Sequence, residues 1–225
     1  MSAFNYGVSQ ARGSWVCIFA GDDIMPAGSL AERWRAVKDV SSPKPVVGLC
    51  RLVTMSDIKS QNGVVVPKNP SRGGLTGVSY LMDRHALAAM FPVPEVLPNE
   101  DTWLELAVLH SDFELVHCGV IGCQWRVHAG NSINMLMPFQ TYDEKFTRRM
   151  QAIALFRDEH GGRLSPESKA RLEARIDCEE GRKTGDLRRI LRSRVSTIEK
   201  LRALSVSNRP LYAVRRKLYG LLSGW

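Results

Sequence analysis

The chain has 225 residues, 44% apolar and 24% charged, with a formal net charge of +8, which is enough apolar material for a full core and is ordinary for a soluble globular protein. No apolar run approaches the roughly 18 residues of a membrane span, and the amino terminus lacks a basic-then-apolar signal pattern, so a cytoplasmic location is expected. Cys17, Cys50, Cys118, Cys123 and Cys178 are odd in number, lie mostly in apolar segments and contain no Cys-x-x-Cys pair, which predicts buried thiols rather than zinc ligands or disulfides.

Phe4 to Gly13 reads as the end of a helix, with Gly13 as its stop. Trp15 to Ala20 is a short run of β-branched and aromatic residues that reads as a buried strand, emptying at Gly21 into Asp22 and Asp23. In open α/β sheets ligands sit beyond the carboxyl ends of strands, where two carboxylates suit a divalent cation or a cationic substrate. Turn initiation, or capping of the helix that follows, explains the same pair equally well.

Ser29 to Val40 has helical spacing and ends at Ser41-Ser42-Pro43. Pro45 to Thr54 reads as a strand, and 57–70 as a surface hairpin or loop centred on Asn62-Gly63. The glycine-rich turn Ser71 to Gly77 has neither dinucleotide-binding nor Walker spacing, so a loop needing close backbone approach is favoured over a phosphate cradle. Val78 to Met82 reads as a strand and Arg84 to Met90 as a helix. Asn99 is placed to cap a helix whose first turn carries Glu100 and Asp101, where the helix dipole favours carboxylates. Glu114 to Cys118 and Val120 to Trp125 are apolar runs interrupted by Gly119, and beyond them Arg126 and His128 share a face at strand spacing.

From Thr141 the pattern is helical: Tyr142 to His160, a helix capped by Ser165, and a third over Asp186 to Leu204. Residues 1–140 carry 11 Lys+Arg and 12 Asp+Glu, net −1, whereas 141–225 carry 20 and 11, net +9. This predicts a first domain over 1–140 and a basic helical extension over 141–225. Arg209 to Trp225 mixes basic, aromatic and aliphatic residues, which suits an anionic membrane surface. A solvated helix packed on the domain fits as well, and nucleic acid is the weakest option because no recognition motif accompanies the charge.

Five landmarks, in order, resemble glycosyltransferase family 2, the inverting nucleotide-sugar transferases of the GT-A fold. Asn5-x-Gly7 with Ala11-x-Gly13-x-Trp15 resembles the entry into the family's metal strand, and Phe19-Ala20-Gly21-Asp22-Asp23 resembles its metal motif. Thr76-Gly77 resembles the floor of the sugar site. Asn99-Glu100-Asp101 resembles the Glu-Asp motif, and with it Trp125-Arg126-x-His128-x-x-Asn131 resembles the late Arg-x-His segment.

The resemblance covers about Asn5 to Ser132. It implies an α/β fold, a partial GT-A mixed sheet flanked by helices, and hexosyl transfer from a nucleotide-sugar donor to a hydroxyl of a glycan or lipid-linked acceptor. Cell-surface polysaccharide or glycolipid synthesis is the expected setting, with the basic extension attaching the protein peripherally to the inner face of the membrane. Mn²⁺ or Mg²⁺ is implied, with Asp22 and His128 as ligands, Asp23, Arg126, Thr76 and Gly77 around the donor, and Asp101 as the base.

Ala20 replaces the motif's first aspartate, leaving Asp22 and Asp23 to hold the cation. The family's amino-terminal nucleotide-binding half has no counterpart in this sequence, so the expectation is the sugar, metal and acceptor half alone. The alternative expectation is a non-catalytic remnant or binding module with a membrane-associating tail.

Overall fold

The computed structural model describes residues 2–128 and 137–222 and divides into two compact units, 1–128 and 129–224. The first is α/β, with a mixed open sheet flanked by helices. Its elements are α1 (Ser2–Gln10), β1 (Trp15–Val16), α2 (Ser29–Val37), β2 (Val46–Met55), β3 (Val65–Val66), β4 (Tyr80–Asp83), α3 (Arg84–Met90), α4 (Asp101–His110) and β5 (Glu114–Arg126).

The ten-residue strand β2 is the axis of the sheet. Along one edge it runs parallel to β5, from Val46 opposite Glu114 to Met55 opposite Arg126. Its other edge is shared by β4 at residues 47–49 and by β3 at residues 52–53, both antiparallel, and β4 carries β1 on its far side. Burial on both faces explains why β2 is a nearly continuous apolar run. On one side α3 and α4 supply Leu87, Met90, Trp103 and Leu104, all buried, and the Trp103 indole N–H donates to the Met90 carbonyl at 3.0 Å. A second cluster joins Cys50, Leu52, Cys118 and Cys123 with Phe19 and Trp125. All five thiols are free, and burial pushes that of Cys50 up to about 11.

Three local expectations need correction. The strand expected over 15–20 pairs with β4 for only two residues; beyond Val16 the chain runs on without a ladder and sets Ile18 against Gly77. The two runs around Gly119 form one strand, because register shifts near Arg51 absorb the interruption. Asn99 is not a cap: Glu100 already has helical dihedrals and precedes α4, and the Asn99 amide turns to Asp101 instead.

The glycine-rich turn folds back along β2, with the Gly74 N–H donating to the Cys50 carbonyl at 2.8 Å. A Cβ at Gly73 would lie 2.2 Å from the Leu49 carbonyl oxygen, an overlap only backbone movement can relieve. Gly73→Ala is therefore expected to destabilise the first unit by about 1–3 kcal/mol in chemical denaturation. An unchanged midpoint would show that this backbone approach is not required.

The second unit is helical: α5 (Phe139–His160), α6 (Pro166–Thr184), α7 (Leu187–Arg192), α8 (Thr197–Leu204) and α9 (Arg209–Leu222). Ser165 caps α6 by accepting from the Ser168 N–H, with Pro166 in the first turn, and Gly185 ends it at φ 71°. The single helix expected over 186–204 is two, because Ser196 and Glu199 form a reciprocal capping box that restarts the chain as α8. Tyr142 and Tyr212 pack with ring centroids 5.0 Å apart, beside Phe139 and Phe146. Among the described residues no helix is long and apolar enough to cross a membrane.

Candidate functional site

The candidate residues of the first unit come from four separated segments. Ala20 to Asp23 is a tight turn, closed by the Asp23 N–H on the Ala20 carbonyl at 3.3 Å. Ile24 leaves that turn in an antiparallel bridge with Gln124 of β5, their N–H groups donating both ways at 3.1 and 2.8 Å. The bridge lays the two aspartates beside the end of β5. The Arg126 N–H donates to Asp23 Oδ1 at 2.8 Å, and the Arg126 Nε donates to the Asp22 carbonyl at the same distance. His128 Nε2 lies 3.2 Å from Asp22 Oδ2, with both side chains about half exposed. Asn131, the last residue of that sequence segment, lies outside the described residues.

Asp22 and Asp23 face different environments. Asp23 is half-buried, and desolvation lifts its carboxyl above the usual range against the opposing pull of the Arg126 N–H, while the Asp22 charge adds to the rise. Its partners include the thiol of Cys123, whose own titration is pushed up by burial and then by the Asp23 charge. Asp23 thus fastens the turn to β5, whereas Asp22 presents its carboxylate outward beside His128.

Two ligands bound cis, each about 2.1 Å from a divalent ion, stand about 3 Å apart. The Asp22–His128 separation of 3.2 Å fits such a pair. Among the described residues no three His, Cys, Asp or Glu side chains gather as a larger ligand set, so further ligands would be water or substrate oxygens.

The other two segments meet at Gly77. It opens a single 3-10 turn over Gly77–Ser79, which Ser79 braces by accepting the Thr76 N–H at 3.3 Å and donating to the Gly74 carbonyl at 2.5 Å. A Cβ on Gly77 would stand 3.0 Å from Ile18 Cδ1 and 3.1 Å from Glu100 Oε1, so both side chains lie close beside this glycine. The Gly77 N–H donates to Asp101 Oδ1 at 3.0 Å, and the Asn99 amide donates to Asp101 Oδ2 at 3.3 Å.

Several neighbours carried no sequence signal. Tyr80, whose side chain is fully buried, feels the charges of Glu105 and Asp101, which add to burial in raising its hydroxyl; that hydroxyl and Asn99 Oδ1 have no hydrogen-bond partner among the described residues. Beneath them Arg33 of α2 is 1% exposed and donates to the Ser79 carbonyl at 3.1 Å. The Arg33 Nε and Nη1 are without partners among the described residues. A buried guanidinium without a carboxylate brings fixed positive charge close to the Thr76–Ser79 turn.

The first unit thus forms two linked groups: Asp22, Asp23, Arg126 and His128 at the end of β5, and Thr76, Gly77, Asn99 and Asp101 at the start of α4. The segment from Ile18 to Asp23 is common to both. Comparison with protein-family models and with curated proteins finds no match.

Proposed function

We propose that the first unit is the sugar-, metal- and acceptor-binding part of an inverting GT-A glycosyltransferase of family 2. It would move a hexosyl group from a nucleotide-sugar donor to a hydroxyl of a glycan or lipid-linked acceptor, in cell-surface polysaccharide or glycolipid synthesis. The observation that supports this reading is the Gly77 N–H on Asp101 Oδ1, at a glycine whose added Cβ would meet both Ile18 and Glu100. On this reading the base candidate stands beside the segment that carries the aspartate pair, although 79 residues separate Asp22 from Asp101 in the chain.

Asp22 and His128 are the residues that would hold Mn²⁺ or Mg²⁺, and the ion would supply Lewis-acid stabilisation to a diphosphate leaving group. Arg126 adds positive charge beside it, and Asp23 holds the turn in register. Asp101, kept in place by Gly77 and Asn99, accepts the proton of the acceptor hydroxyl as that oxygen attacks the anomeric carbon. Attack from the face opposite the leaving group inverts that carbon in one displacement.

A second reading, a non-catalytic binding module, draws support from Asp23, whose carboxylate is already engaged by the Arg126 N–H and the Cys123 thiol. Mn²⁺ binding separates the two, followed by electron paramagnetic resonance with inorganic pyrophosphate as the diphosphate probe. On the transferase reading Asp22→Ala and His128→Ala each weaken Mn²⁺ binding by about tenfold or more. Equal affinity in both variants and the native chain would favour the binding module.

A further inference from the structure

The charge of the second unit is confined to one part of it. Residues 129–186 hold ten Lys+Arg and ten Asp+Glu, whereas residues 187–225 hold ten basic residues and a single acid, Glu199. Glu199 is itself engaged, accepting from the Ser196 N–H at 3.0 Å and from its hydroxyl at 2.6 Å. Arg188, Arg192, Arg194, Arg209, Arg216 and Lys217 are exposed and in no ion pair among the described residues.

The same three helices carry exposed aliphatic side chains at helical spacing. Leu187 and Leu191 lie on α7, Ile198 and Leu201 on α8, and Val214 and Leu218 on α9, with Ile198 63%, Leu201 61% and Val214 53% exposed. Basic residues adjoin them in sequence, as in Leu187-Arg188, Leu191-Arg192, Leu201-Arg202 and Lys217-Leu218. A residue one place on is turned about 100° around a helix, so the charges flank the apolar stripes instead of interrupting them. The helices are also continuous with one another: Lys200 donates from α8 to the Leu191 carbonyl of α7 at 2.9 Å, and Arg215 of α9 donates to Ser205 at the end of α8 at 2.6 Å.

We propose that α7, α8 and α9 form a docking surface for the anionic face of a lipid bilayer. Aliphatic side chains enter the boundary between headgroups and acyl chains while flanking arginines meet lipid phosphates. A second copy of the chain fits poorly, because it would bring two surfaces of the same charge together and the cores of protein interfaces are depleted of charge. Single-stranded nucleic acid fits poorly too, since bases stack on exposed aromatic rings and, among the described residues of these helices, the large exposed apolar side chains are aliphatic. The surface is independent of any chemistry at the carboxylates of the first unit.

Vesicle co-sedimentation of the full chain tests the proposal, comparing phosphatidylcholine alone with phosphatidylcholine containing phosphatidylglycerol. Binding is expected only to the anionic vesicles, and it is expected to weaken as salt rises from about 50 to about 500 mM. Ile198→Gln with Leu201→Gln, both at exposed positions, is expected to weaken binding about tenfold. Arg202→Glu with Lys217→Glu, both beside the apolar stripes, is expected to do so to at least a similar extent, about tenfold. The proposal is overturned by no binding to anionic vesicles at low salt, or by binding that the aliphatic pair leaves unchanged. Displacement from the vesicles by an equal mass of single-stranded DNA would also overturn it, in favour of nucleic acid.

Discussion

Asp101→Asn is expected, on the proposed transferase reading, to lower sugar transfer by about 10²- to 10⁴-fold, the range in which a positioned general base contributes, with donor affinity nearly unchanged. The substitution is isosteric, and its remaining carbonyl oxygen still accepts the Gly77 N–H that Asp101 Oδ1 accepts now. The new amide nitrogen would face the Asn99 amide nitrogen, which at present donates to Asp101 Oδ2. A half-turn of the Asn99 amide relieves that clash of donors by bringing round its Oδ1, an atom with no partner among the described residues. The fold should therefore survive, and thermal melts of the two proteins should nearly coincide. The activity loss should appear in kcat, with the limb of the pH–rate profile that reports deprotonation of the base removed. A variant that turns over at the native rate would remove Asp101 as the base, and one that melts early would assign it a structural role.

Regular elements with strong local patterns were legible in the sequence. Arg84–Met90 occupies its expected span because Asp83 caps it locally, accepting the Ala86 N–H at 2.7 Å. The glycine turn was readable as close backbone approach, and Gly73 against the Leu49 carbonyl is that approach. The length of β1 was not legible, because β1 parts from β4 after Val16 opposite Met82 although β4 runs on to Tyr80, and no local pattern encodes where two strands diverge. Nor was the division between α7 and α8, where aliphatic spacing continues across a break made by Ser196 and Glu199; the Ser-x-x-Glu pattern was the available signal. At the candidate site, strand spacing implied that Arg126 and His128 share a face. That this face meets Asp22 and Asp23 depends on the Ile24–Gln124 bridge, a contact across 100 residues of chain that no local pattern encodes. The same holds for Arg33, which on sequence is a polar residue of an amphipathic helix and in the fold is buried beneath the Thr76–Ser79 turn.

In the second unit, Arg182→Met is expected to cost about 3–5 kcal/mol of stability, the loss typical when one partner of a buried ion pair is removed. Arg182 is 1% exposed and donates to Asp143, to Glu179 through Nε at 2.8 Å and to Thr147 at 2.6 Å, with its guanidinium 5.0 Å from the centre of the Phe146 ring. Methionine fills much of the volume but leaves Glu179, whose side chain is 17% exposed, without its counter-charge. Burial already raises the Glu179 carboxyl above its usual range with Arg182 present, and removing the guanidinium raises it further. A carboxyl whose folded pKa exceeds its unfolded value destabilises the fold when ionised. The Glu179 part of the deficit is therefore complete above the raised folded value, fades as pH falls from there toward about 4.3, the unfolded value, and is gone below it. Adding Glu179→Gln should recover a large part of the loss at neutral pH and little of it at pH 4, a comparison that chemical denaturation at the two pH values makes directly. Equal losses at both pH values, unrelieved by Glu179→Gln, would mean that Arg182 holds the helices through its packing on Phe146 rather than through its charge.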